Sequence, residues 1–183
     1  MPRTISILAL FATLLVALPV AARAAEVTST GTVTGSILTA STSATPSFSA
    51  SLDSGDTTQS YTVPLTLQDT RGTGAGWNLT ITSTTFSTGG GSPRTLPTSA
   101  SSLTGVTSTC ASGTCTNPSN AQTYPIAVPA GATAPTAVKI FNTTANNGMG
   151  RFTITPTVGV TIPQNAFAGT YASTVTLSVV TGP

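Results

Sequence analysis

The sequence predicts an all-β protein: an immunoglobulin-like, Greek-key-type β-sandwich preceded by a cleavable signal peptide. Three observations lead there. Phe152, Ile154, Pro156, Val158, Val160 and Ile162 occupy every second position, with Thr153, Thr155, Thr157, Gly159 and Thr161 between them. A period of two places the first set on one face of a strand and the second on the other. Short runs of this kind recur along the chain between glycine- and proline-rich turns, and outside the first 20 residues no apolar run has a 3.6-residue period. Closely spaced strands with alternating faces fit two sheets sharing one core.

The elements follow in order. Arg3 gives a basic start, Ile5 to Val20 is an uncharged and mostly apolar run, and Ala22-Arg23-Ala24 supplies a small-x-small cleavage site. Residues 1–24 are therefore read as a signal peptide, and residues 25–183 as one mature domain. The apolar run is 16 residues, short of a comfortable membrane span, so no membrane contact is expected after cleavage. Val33–Leu38 and Ser47–Leu52 are the first expected strands. Asp53-Ser54-Gly55-Asp56 reads as a turn.

Tyr61 to Leu67 alternates well, but Pro64 cannot donate to a ladder, so this strand is expected at an edge or at a bulge. A glycine-rich turn precedes Trp77, Leu79 and Ile81, which share one face of the next strand. Residues 87–123 read as a long irregular excursion with one short strand at Leu103–Thr107. Tyr124–Val128 is a short strand between prolines. Ala137–Phe141 and Arg151–Thr161 flank Asn146-Asn147-Gly148, and Asn-Gly between two patterned runs signals a hairpin. Tyr171–Val180 is the last strand.

Composition narrows the chemistry. The six basic residues include Arg3 and Arg23, which leave with the signal. The mature chain keeps Arg71, Arg94, Lys139 and Arg151 against Glu26, Asp53, Asp56 and Asp69, four against four. A neutral surface offers nothing for nucleic acid to bind, and none is expected as a partner. Ser and Thr make up 61 of the 183 residues. The regular apolar alternation separates this chain from a disordered Ser/Thr-rich stalk.

Histidine is absent, which removes the usual general base and metal ligand. Asp53 and Asp56 are the closest carboxylate pair, in a turn where Asx-type hydrogen bonding is the ordinary role. No enzyme activity, cofactor or metal is expected. Cys110 and Cys115, with four residues between them in a chain read as exported, read as one disulfide stapling a small loop. Trp77 is the single tryptophan. Its place beside Leu79 and Ile81 is a core pattern; the alternative is a platform for stacking a carbohydrate or anchoring a partner.

Two motifs carry a family resemblance. Trp77-Asn78-Leu79 is a Trp-x-Leu after a glycine-rich turn. Tyr171-x-x-x-Val175-Thr176-Leu177-x-Val179-x-x-x-Pro183 follows the pattern Tyr-x-x-x-Leu-Thr-Trp-x-Leu-x-x-x-Pro. In this order, behind a signal peptide, they make residues 27–183 resemble a WxL domain. Leu177 stands where the second motif has its tryptophan, and Val175 and Val179 stand for its leucines. The resemblance implies a secreted β-sandwich on the cell surface, attached non-covalently to peptidoglycan, with other surface proteins as further partners. Trp77, Leu79, Tyr171, Val175, Leu177 and Pro183 become the candidate binding residues. A scaffold subunit that never touches peptidoglycan is the alternative.

Overall fold

The computed structural model describes residues 28–53 and 55–183. The signal-peptide assignment falls on residues outside these. The chain divides into two units at Val33/Thr34. Residues 28–33 of the first have no regular structure and are exposed. The second, residues 34–183, holds ten strands, and the described residues contain no helix.

The strands are β1 (Leu38–Ser41), β2 (Thr57–Thr62), β3 (Leu65–Asp69), β4 (Trp77–Thr84), β5 (Ser101–Ser112), β6 (Ile126–Ala127), β7 (Ala130–Gly131), β8 (Val138–Thr143), β9 (Gly150–Ile162) and β10 (Val175–Thr181). Six form one sheet around β9, which pairs with β5 on one side and with β2 and β3 in tandem on the other. β1 extends that sheet from β3, and β6 extends it from β5. Four strands form the second sheet around β4, with β10 on one side and β7 and β8 on the other. All pairs are antiparallel except β4–β7.

The alternation in β9 does what its period demands. Phe152, Ile154, Pro156, Val158, Val160 and Ile162 are all buried. They meet Trp77, Leu79 and Ile81 from β4 and Ile140 from β8 in one core, with Leu67 and Leu103 from the strands beside β9. The two sheets thus share a single apolar layer, as in a sandwich.

Pro64 acts by breaking a strand. The expected run from Tyr61 to Leu67 splits there into β2 and β3, both paired with β9. The Val63 N–H donates to the Pro156 carbonyl at 3.0 Å. In a strand a residue's N–H and C=O point to the same side. The donor that Pro156 lacks would therefore face this same break, so one interruption accommodates both prolines.

Several expected elements differ. The first strand lies at Leu38–Ser41, not Val33–Leu38. Residues 47–52 form no strand, and Phe48 and Leu52 instead pack on the core from an irregular segment. Their alternation is satisfied by covering apolar surface, without a ladder. β5 runs for 12 residues where five were expected, because pairing with β9 extends it through Ser- and Thr-rich sequence that carries no apolar pattern.

Tyr124–Val128 shrinks to β6, and the last strand begins at Val175, not Tyr171. The Asn-Gly hairpin is overturned as well. β8 belongs to the second sheet and β9 to the first, so Asn146-Asn147-Gly148 carries the chain between layers. The disulfide joins Cys110 to Cys115 with Cα atoms 5.9 Å apart. It lies against the start of β9, where the Thr116 N–H donates to the Met149 carbonyl at 2.9 Å.

Candidate functional site

The two sequence motifs, far apart in the chain, lie on paired strands. In the β4–β10 ladder Leu177 stands opposite Ile81, Val179 opposite Leu79 and Thr181 opposite Trp77. Val175, Leu177 and Val179 point to the core side and are half-buried, while Thr176 and Ser178 between them are exposed. Pro183 is exposed beyond the strand end. Four of the six candidate residues therefore belong to one ladder, with Tyr171 on the approach to β10 and Pro183 beyond its end.

Trp77 is 0 % exposed. Its indole N–H donates to the Gly148 carbonyl at 2.9 Å, and its ring stacks with Phe141 at 5.8 Å between centroids. Leu79 is likewise fully buried. A ring enclosed this way presents no face to a ligand. The stacking-platform alternative for Trp77 gives way to the core pattern: Trp77 packs the sandwich and anchors the crossing between layers.

Near the same end of β4 is an ion pair that the charge count alone did not single out. Asp69 closes β3 at 2 % side-chain exposure, and Arg71 follows it at 15 %. The Arg71 Nε and Nη2 atoms donate to the two carboxylate oxygens at 2.9 and 2.8 Å. Nη2 also donates to the Gly76 carbonyl, and Nη1 to the Thr181 hydroxyl, both at 2.8 Å. The hydrogen bond to Asp69 raises the Arg71 pKa above its ordinary value, against a burial effect in the other direction.

One guanidinium thus ties β3, the residue before Trp77 and the end of β10. Two opposite charges spaced i, i+2 at a glycine-rich turn were the available signal. Asp69→Asn leaves a mostly buried cation with a neutral partner and is expected to cost about 2–3 kcal/mol, read by urea denaturation.

A large concavity lies beside β10. It is a cleft of about 1140 Å³ bounded by Ala40 and Leu65 of the first sheet, Val175 and Leu177 of the second, and two irregular segments carrying Phe48 and Tyr171. Leu177, at the motif's tryptophan position, is part of its wall. Phe48 stacks on Tyr61 at 6.0 Å and meets Phe86 edge-on at 5.6 Å. The Tyr171 hydroxyl donates to the Phe167 carbonyl at 2.8 Å, which closes the turn that forms the rim. Phe167 is 57 % exposed there, and the Arg94 guanidinium stacks over its ring at 3.9 Å.

Burial pushes the Tyr61 hydroxyl up to about 12 from its ordinary 10.0. The fold favours the neutral phenol. Its contribution to stability is therefore complete below pH 10 and is lost as pH rises toward 12. A spectrophotometric titration should show this phenol ionising near pH 12, with stability falling across the same interval.

No cluster of three or more His, Cys, Asp or Glu side chains that would hold a metal occurs among the described residues. Asp56 accepts the Gln164 backbone N–H at 2.9 Å, a structural use of the turn carboxylate. No helix among the described residues is long and apolar enough to cross a membrane. The described residues thus form a two-sheet module with a cleft beside β10 whose lining carries no charged side chain.

Residues 25–183 match the family model for the WxL domain, described as surface cell wall-binding, so the chain belongs to that family. No curated protein and no solved structure matches the chain.

Proposed function

We propose that this protein is a secreted surface module that attaches non-covalently to peptidoglycan through the exposed surface of its sandwich. The observation carrying this reading is the WxL match across residues 25–183. The surface chemistry supports it. The outward side chains of β10 include the exposed hydroxyls of Thr176 and Ser178. Such a face offers hydroxyls to glycan hydroxyls and peptide amides without repelling an anionic wall. Individual contacts of this kind are weak, so firm retention calls for several at once.

The purified protein is expected to co-sediment with isolated peptidoglycan sacculi. Absence of enrichment while the circular dichroism spectrum stays native would refute the reading.

An interaction subunit is the second reading, favoured by β10. Among the described residues this seven-residue strand pairs only with β4, and it carries no charge and no proline. Edges of that type accept a partner strand. Crosslinking on intact cells separates the readings: a protein neighbour without sacculus binding favours the subunit.

A further inference from the structure

The cleft beside β10 has three properties that together specify an occupant. Its lining holds no Asp, Glu, Lys or Arg, and Arg94 at the rim is engaged on the Phe167 ring, so the walls offer a charged ligand no counter-charge. Phe48, Tyr61, Phe86, Phe167 and Tyr171 all line it, half of the ten aromatic residues in the chain. Serine and threonine residues, among them Ser47, Ser49 and Thr174, also border it. A hydrocarbon would satisfy the rings and strand the hydroxyls. A strongly polar ion would do the reverse.

Tyr61 adds an independent observation. Its side chain lies on the core side of β2 at 8 % exposure. Its hydroxyl is not one of the buried side-chain atoms left without a partner among the described residues, so it opens into the cleft that Tyr61 lines. A ligand atom there can take the place of solvent on it.

From these features we infer that the cleft is a saccharide subsite for the N-acetylhexosamine units of the glycan strand. The inference rests on the peptidoglycan reading above and assigns the part of the wall polymer that is held. An N-acetylhexosamine is uncharged, its C–H face packs on aromatic rings, and its hydroxyl and acetamido groups pair with serine, threonine and tyrosine hydroxyls. The cleft volume of about 1140 Å³ exceeds the roughly 300–1,000 Å³ of ordinary small-ligand sites, which suits more than one sugar ring. Leu177 contributes to that room: an indole at this position would project from β10 into the same space.

The test titrates β-1,4-linked N-acetylglucosamine tetramer into the protein by calorimetry and repeats the sacculus assay with tetramer as competitor. The tetramer is expected to bind and to displace the protein from sacculi. Leu177→Trp should fill the cleft and weaken tetramer binding at least tenfold. Tyr61→Phe, which removes one oxygen and keeps the ring, should weaken it severalfold. Thermal melts establish that each variant is folded, and Tyr61→Phe decides if Leu177→Trp is not.

Sacculus binding without tetramer binding overturns the subsite and leaves wall attachment standing; the same applies if wall peptide stems compete and the tetramer does not. Unchanged tetramer affinity in the folded variants also overturns it, as does displacement of bound tetramer only by a neutral apolar dye at sites other than the cleft. Loss of sacculus binding by the unaltered protein defeats the functional reading itself.

Discussion

Trp77→Ala is expected to leave little or no folded protein at 25 °C. The side chain is fully buried between the sheets, where it meets Phe141 and the β9 stripe. Truncating a buried tryptophan to alanine costs about 3–5 kcal/mol in lost burial and cavity formation. The indole N–H bond to the Gly148 carbonyl goes as well, contributing about 1 kcal/mol more. A domain of this size has roughly 5–15 kcal/mol in total, so the loss consumes much or all of it.

Trp77→Phe separates the two parts, since it keeps most of the ring and deletes only the donor. It should remain folded with a smaller loss on the order of 1–3 kcal/mol. Urea titrations followed by circular dichroism measure both variants. A folded Trp77→Ala protein that had lost only its sacculus binding would contradict the core assignment.

Gly148→Val is expected to be nearly as damaging, although it adds atoms. Gly148 has φ of 69°, a backbone conformation that valine adopts only with strain. A Cβ there would stand 2.5 Å from the Thr143 Cγ2 atom and 2.7 Å from the Trp77 indole nitrogen. Both neighbours are fully buried and cannot retreat. Backbone strain and overpacking together cost roughly 3–5 kcal/mol. The effect should appear as a lower urea midpoint with loss of near-ultraviolet signal from Trp77. A native midpoint would show that the crossing segment can detach from the tryptophan without consequence.

The legibility of this chain follows from where the information lay. Strands whose apolar residues alternate, such as β4 and β9, were readable because side-chain direction is a local property of the strand. β5 was readable only in part: past Leu103 and Val106 its side chains are Ser, Thr, Cys and one Ala, and its length comes from the partner it pairs with. The segment around Phe48 had the right alternation and the wrong use, because an apolar face can be buried by a loop lying over it as well as by a ladder.

The Asn-Gly turn before β9 failed for a related reason. Left-handed residues mark a reversal, and Asn146 and Gly148 both have positive φ. Whether the reversal stays within a sheet or changes layer depends on β4, which recruits β8. The candidate site was legible as a pair of motifs. Their adjacency rests on a non-local ladder, and the cleft, with the Tyr61 hydroxyl opening into it, exists only once both sheets are assembled.

The β4–β10 ladder also sets an order of events. Ile81 and Leu177 are opposite one another across the ladder and 96 positions apart in the chain (177 − 81). The segment through Thr181 must be made before the second sheet acquires this edge. Until then the apolar stripe of β4 lacks one of its flanking strands and the core stays unfinished. Pairing over such long separations is entropically costly and slow relative to local structure. That delay makes closure of the second sheet a late event in folding.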